Sequence, residues 1–378
     1  MHFFGLIFCS IYALVQFYLF RKIRVAFPSI GFWSVPVVVF MGMMIFAPFG
    51  VRMLESAGHL RLALALSTPA HSWLAIMLWF VTLSVASDTW NITARWVARV
   101  LPAMRRLVVP PRAALAITGV LVVAAGSWGM HEAADVRIKE LTVTLRSLPA
   151  GSAPIRLVQV SDMHIGLFMR EKMLIRVVDL IRQARPDVLV STGDLVDSSF
   201  YQQKLAVHLA SVKPPLGKYA VLGNHEFYAG LAGSLAFHRA AGFRVLRGES
   251  VQAAPGLRIT GVDDPSGGEV KGDALLDGEF ASAPPGEATI LLKHRPRVEK
   301  TPKRRFDLQL SGHSHGGQIF PWGYVLRFID SYTAGLHELP GGSELYVSRG
   351  TGTWGPPMRL FAPPEVTLII LQPPAAAK

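Results

Sequence analysis

Four long apolar stretches, at about 3–20, 31–49, 69–87 and 113–130, fill most of the first 130 residues of this 378-residue chain. Each is close to the roughly 20 residues an α-helix needs to cross the hydrocarbon layer of a bilayer. One such run could be a buried helix of a soluble protein. Four within 130 residues, with the charges gathered between them, predict a transmembrane region over residues 1–130. Composition agrees, because only 17% of the residues are charged and 51% are hydrophobic, against about 25% charged in soluble domains. Six of the eight tryptophans fall in this region, several near the ends of the runs, as interfacial anchors do. Pro36 and Pro48 predict a kinked or shortened second helix, which neighbouring spans can accommodate. No run carries a ladder of ionisable residues, so a transport pathway has little support.

The charges between the runs set an orientation. Residues 1–140 hold 12 Lys+Arg against 5 Asp+Glu. Arg21, Lys22 and Arg24 follow the first run, Arg52 and Arg61 the second, and Arg95, Arg99, Arg105, Arg106 and Arg112 the third. The positive-inside rule makes the first and third connections cytoplasmic. Both the N-terminus and everything after Met130 are then extracytoplasmic, in the inner membrane if the chain is bacterial. The first run lacks a preceding basic segment and a following small-residue cleavage site, so it reads as a span and not as a cleaved signal peptide. A net charge of +12 could suit nucleic acid, but these charges read as topology signals and no repeated Arg/aromatic pattern accompanies them, so no nucleic-acid partner is expected. The single cysteine, Cys9, is silent on redox compartment and removes zinc-finger and cysteine-nucleophile chemistry.

From about residue 136 the pattern changes. VRIKELTVTL alternates as a strand does, and a soluble domain is expected over 136–378. Short β-rich segments follow at 155–160, 187–192, 218–222, 288–292 and 306–310. Between the first two, Met173, Leu174, Val177, Val178 and Ile181 stand at helical spacing and predict an amphipathic crossover helix over 170–185. Strand, helix, strand is the grammar of an α/β layer.

Each of those five segments runs into a polar cluster. In order they are Asp162-Met-His164, Gly193-Asp194-Leu-Val-Asp197, Gly223-Asn224-His225-Glu226, Lys293-His294 and Gly312-His313-Ser-His315-Gly316-Gly317. Open α/β sheets bind ligands at the carboxyl ends of their strands, so clusters separated by about 150 residues can converge there. Five of the twelve histidines lie in these clusters. Imidazole mixed with carboxylate oxygen suits Mn, Fe or Zn better than Mg or Ca. Two metals about 3.5–4 Å apart need a bridging ligand, and a carboxylate on a sharp turn can provide one.

The ordered series D-x-H, G-D-x-x-D, G-N-H-E, a lone His after a strand, then G-H-x-H resembles the calcineurin-like metallophosphoesterases over about residues 136–378. The G-H-S-H-G-G-Q run at 312–318, S-R-G-T-G-T-W at 348–354 and P-P-E-V-T-L at 363–368 look like the branch with secreted or membrane-tethered bacterial members. The resemblance implies an α/β/β/α sandwich behind four transmembrane helices. It implies a site with two divalent transition metals, Mn favoured, one held by Asp162, His164 and His315 and the other by Asn224, His294 and His313, with Asp194 bridging. His225 would face the phosphoryl group as acid or hydrogen-bond donor, and Asp197 would orient it. The expected reaction is phosphoester hydrolysis, on a phosphodiester or pyrophosphate, by in-line attack of a hydroxide bridging the two metals. No Ser or Cys nucleophile and no P-loop is needed or present.

One departure bears on substrate. Protein Ser/Thr phosphatases of this superfamily continue the second block with Arg-Gly, whereas Asp197 is followed here by Ser198-Ser199, which puts protein dephosphorylation in doubt. Arg295 and Arg349 are the candidates to replace that cation. The apolar, aromatic stretch Ile319 to Phe328 reads either as packing beneath the sheet or as a contact for an acyl chain or membrane surface. A lipid-linked phosphoester substrate follows from the second reading. The alternatives are a UDP-2,3-diacylglucosamine-type pyrophosphate hydrolase of lipid A synthesis, which needs a cytoplasmic domain, and a non-catalytic membrane sensor or scaffold with a vestigial metal site.

Overall fold

The structure is a computed structural model and describes residues 2–197, 203–268, 287–298, 306–329 and 331–375. The chain separates into two compact units, one of Met1–Met130 with Gly355–Met358, the other of His131–Trp354 with Arg359–Lys378.

The first unit is helical. It contains α1 (His2–Ala26), α2 (Ser34–Ser56), α3 (Leu60–Val97) and most of α4 (Pro111–Ala134), with 3-10 turns at Pro28–Trp33 and Pro102–Leu107. All four helices are long and apolar enough to cross a membrane. The α3 helix runs well past the apolar stretch at both ends and continues through Pro69. The second helix is not shortened. Pro36 falls in its first turn, where no intrahelical N–H is needed, and the helix continues through Pro48. Several polar side chains inside the unit are paired: Gln16 donates to the Met41 carbonyl at 3.0 Å and accepts from the Trp73 indole at 3.2 Å. Lys22 and Tyr18 both reach Asp88, and Arg112 donates to the Ala26 carbonyl at 2.9 Å. These bonds bring the C-terminal end of α1, the later part of α3 and the start of α4 to one end of the bundle.

The second unit is a two-sheet sandwich. Its strands are β1 (Arg137–Thr144), β2 (Ile155–Val160), β3 (Val188–Ser191), β4 (Lys218–Ala220), β5 (Arg244–Val245), β6 (Glu249–Ala254), β7 (Leu257–Val262), β8 (Ala288–Lys293), β9 (Leu308–Ser311), β10 (Gly335–Glu338), β11 (Glu344–Val347) and β12 (Glu365–Gln372). One sheet has the order β1-β12-β2-β3-β4-β5 and the other β10-β11-β9-β8-β7-β6. Within the first, β2 to β5 are mutually parallel; within the second, β7, β8, β9 and β11 are. Strand alternation divides β2 between two cores. Leu157 joins Val190, Ile259, Ile290 and Leu310 between the sheets, while Val158 and Val160 face the helices. The helical layer on that face contains α5 (Glu171–Gln183), α6 (Gln203–Ala210) and α8 (Leu231–Ala240), with α7 (Asn224–Ala229) against α8. In α5 the buried positions are Leu174, Val177, Val178 and Ile181, and Met173, the fifth residue of the set expected from sequence, is half-buried beside them.

A last short helix, α9 (Gly323–Ile329), lies in the stretch read as loop. Three of its side chains are exposed, not packed beneath the sheet: Tyr324 and Val325 are about half exposed and Phe328 is 89% exposed. Ser198 and Ser199 lie outside the described residues.

Candidate metal centre

The strands β2, β3, β4, β8 and β9 end at Val160, Ser191, Ala220, Lys293 and Ser311. Within four residues of each end comes a candidate ligand. Parallel strands point these five turns the same way, so the residues meet at one edge of the sandwich. The turns are sharp: Asp162, His164, Asp194, His313 and His315 all have φ between 48° and 71°. Left-handed backbone at non-glycine residues costs of order 1–3 kcal/mol each and persists where surrounding structure over-determines it. Five of the eight such residues among those described are in this cluster. Gly193 lets two turns approach, since a Cβ there would lie 2.7 Å from both the Gly223 nitrogen and His294 Nδ1.

The side chains gather into overlapping groups: Asp162, His164 and His315; Asp194, His294 and His313; and His164, Asp197 and His225. In the first, His164 Nε2 lies 3.0 Å from His315 Nε2, which is 3.6 Å from an Asp162 oxygen. In the second, His294 Nε2 is 3.2 Å from Asp194 Oδ2, 3.2 Å from Asn224 Oδ1 and 3.1 Å from His313 Nδ1. Asp194 Oδ2 is also 3.9 Å from His164 Nε2, so this carboxylate stands between the groups. All seven sequence-selected ligand candidates are thus adjacent. His225 and Asp197 sit beside them, with His225 Nδ1 2.6 Å and His164 Nδ1 2.7 Å from Asp197 Oδ1.

Hydrogen bonds set which nitrogen is free. His294 Nδ1 donates to the Thr192 carbonyl at 2.9 Å, leaving Nε2 to face Asp194. His164 Nδ1 donates to Asp197, which likewise aims its Nε2 at the cluster. His225 spends Nδ1 on Asp197 and keeps Nε2 outside both groups.

Electrostatics describe a nest that calls for cations. Burial would depress His164 and His294, yet Asp197 with Asp194 holds the first up at about 9, and Asp194 with Asp162 holds the second at about 10. Their neighbours go the other way. Burial, then His294, pushes His313 down to about 3, and burial, then His164, pushes His315 well below the usual imidazole range. Asp194 resists burial and lies well below the carboxylate range because His294, His225 and His164 surround it. Each group thus sets two facing imidazole nitrogens 3.0–3.1 Å apart, where a shared cation would satisfy both. The donor atoms of each group lie within 4.8 Å of one another, a spread that fits ligands bound at roughly 2.0–2.2 Å to one ion. Nitrogen and oxygen donors in this proportion suit a divalent transition metal.

Three supporting residues escaped sequence reasoning. Glu226 is fully buried, raised to about 7 by burial and by Asp194, and accepts from the Asp194, Leu195, Val196 and Gly223 nitrogens at 2.7–3.2 Å. It locks the β3 and β4 turns together. Its signal was present, since Glu three residues after Gly223 is a capping-box spacing. Arg359 is wholly buried and donates to the carbonyls of Gly352, Ala362 and His315, so it clips the His315 turn to the 348–354 segment. No periodicity marks it. Gln318 accepts from the Trp354 nitrogen and donates to its carbonyl at 3.0 and 2.9 Å, which stations the Trp354 ring 5.7 Å from that of His225.

The two arginines considered as phosphate ligands are both engaged. Arg295 bonds Asp264 at 2.7 and 3.1 Å, and Arg349 bonds Glu365 at 2.7 Å.

Comparison with known proteins agrees with this geometry. Residues 155–317 match the family model described as calcineurin-like phosphoesterase. An uncharacterized metallophosphoesterase of Aquifex aeolicus is 43% identical over 257 residues, 67% of this chain and 98% of that protein. The uncharacterized metallophosphoesterase YkuE of Bacillus subtilis is 32% identical, over 63% of this chain and 86% of that one. A transmembrane protein with metallophosphoesterase domain from Danio rerio is 31% identical over 68% of this chain, which spans 62% of that longer protein. With one relative matched over nearly its whole length, the chain belongs to the calcineurin-like phosphoesterase family of metal-dependent phosphoester hydrolases, which work through a dinuclear metal centre.

Proposed function

We propose that this protein is a membrane-anchored phosphoesterase that hydrolyses a phosphodiester or pyrophosphate, lipid-linked, on the extracytoplasmic side. The observation that carries the catalytic part is the position of Asp194 between two imidazole groups, with His225 Nε2 left outside both. Asp162, His164 and His315 would hold one divalent transition metal, Asn224, His294 and His313 the other, and Asp194 would belong to both, with manganese the favoured ion. When bound, the pair supplies Lewis acidity toward the phosphoryl oxygens and a nucleophile from water near neutral pH. His225 presents Nε2 to the leaving oxygen, where it donates a proton or a hydrogen bond to the charge that develops there. Asp197 fixes the tautomer by accepting from Nδ1, and Glu226 and Arg359 hold the turns that carry the donors.

Membrane anchoring and orientation draw support from four helices of spanning length and from the collection of Lys22, Arg24, Arg95 and Arg112 near one end of the helical unit. Both candidate arginines are held in ion pairs, which favours a diester or pyrophosphate over a terminal phosphate that needs a free cationic fork.

The test is hydrolysis of an aryl phosphodiester by the manganese-loaded full-length protein, against Asp194→Asn and His225→Ala. Activity lost by orders of magnitude in both variants supports the reading. A parent no faster than either variant on monoesters, diesters and a lipid pyrophosphate would leave the sensor or scaffold in its place.

A further inference from the structure

The face formed by α9 and the Phe361 turn has the chemistry of a membrane-interface contact. Phe328 is 89% exposed, Phe361 71%, Tyr324 53% and Val325 45%. They do not scatter. The Phe320 ring lies 5.9 Å from Tyr324 and 5.3 Å from Phe361, and the Arg327 guanidinium sits 4.9 Å from the Tyr324 ring centre. A water-facing protein seldom leaves such a group uncovered, and exposed aromatics with a cation at their edge are what the headgroup boundary accepts. The cavity beside it, lined by Gly316, Gly317, Phe320, Tyr324, Arg327 and Phe361, measures about 110 Å³. Pockets that enclose a ligand run to roughly 300–1,000 Å³, so the apolar groups serve an extended surface and not an enclosed ligand.

The chain itself indicates which surface. Only Asp135 and Val136 separate the end of α4 from β1. Glu132, in the last turn of that spanning-length helix, accepts from the Phe361 and Ala362 nitrogens at 3.2 and 2.8 Å. The backbone that carries Phe361 is thus pinned to the point where α4 ends, and a span ends at the headgroups.

We propose that Phe328, Val325, Tyr324 and Phe361 dock into the surface of the bilayer that α4 crosses, with Arg327 at the phosphate level. The proposal rests on α4 being a span. The loop that lines this face begins at Gly316, next to His315, so docking holds the metal-site turn at the depth of a lipid phosphate. A lipid-linked substrate would then reach the site without leaving the membrane.

The test uses the full chain with Cys9→Ser, reconstituted in bilayers of phosphatidylethanolamine and phosphatidylglycerol. Nitroxide labels are placed at Phe328→Cys and, separately, Val325→Cys. Val120→Cys within α4 serves as the buried reference and Lys172→Cys on α5 as the aqueous one. Collision with oxygen and with a water-soluble nickel chelate is then measured. Labels at 328 and 325 should favour oxygen over nickel, as at 120, with nickel collision several-fold below that at 172. Nickel access equal to that at 172 overturns the docking, and so does shielding from both reagents, which would mark a protein partner or a second copy. Nickel access at 120 removes the span, and the proposal with it. None of these readings depends on hydrolysis, so they are independent of the catalytic assignment.

Discussion

Glu226 presents no atom to a substrate, yet four backbone nitrogens from two turns converge on its carboxylate. Glu226→Gln replaces one acceptor oxygen with a donor facing other donors. Activity should fall roughly 10–100-fold, the usual effect of losing a group that orients ligands, with the far-UV circular dichroism unchanged. An unaffected rate would show that the turns hold without it. A second buried residue makes a pH prediction away from the metal centre. Burial pushes His238 down to about 4 from its ordinary 6.5, partly offset by its bond to the Ser234 carbonyl, and among the described residues its Nε2 has no hydrogen-bond partner. The unfolded chain therefore binds more protons than the folded one between about pH 4 and 6.5. Stability is full above that window and declines as pH falls through it. His238→Leu should flatten the decline in denaturant titrations of the solubilised full chain; an identical slope would place the acid sensitivity elsewhere.

At the scale of elements, the proposed metal centre depends on five strand-to-turn junctions, and the β3 junction leaves no room for a side chain. Gly193 has φ 96° and sits against both Gly223 and His294. Gly193→Ala adds a strained residue, at about 1 kcal/mol or more, and a contact that must displace the His294 ring. Metal affinity and activity should drop together, as read by manganese titration. Retained affinity would mean the turns are not fixed by this contact. The turns that carry the candidate ligands were legible in sequence because short apolar strands stop abruptly at His, Asp and Asn, and a strand end at a parallel sheet has one place to point. The α5 stripe was legible because its burial is periodic. Arg359 and Gln318 were not, since their partners are carbonyls and nitrogens of distant turns, and such bonds leave no periodic trace. The helix at Gly323–Ile329 was missed for a related reason. Tyr324, Val325 and Phe328 face outward, so composition resembled a packed loop.

For the whole molecule, four spanning-length helices and basic residues flanking the first and third connections place the catalytic unit outside the cytoplasm in our proposal. A Cys9→Ser chain carrying Lys172→Cys should react with a membrane-impermeant maleimide on intact cells. Labelling only after lysis would reverse the orientation and bring back a cytoplasmic nucleotide-lipid substrate. Central to the account is the sharing of Asp194 between two ion sites. Electron paramagnetic resonance of the full-length protein titrated with manganese tests it most directly. The account predicts two ions per chain with an exchange-coupled spectrum that Asp194→Asn abolishes. Uncoupled single-ion spectra in the parent, or coupling that survives in Asp194→Asn, would contradict it.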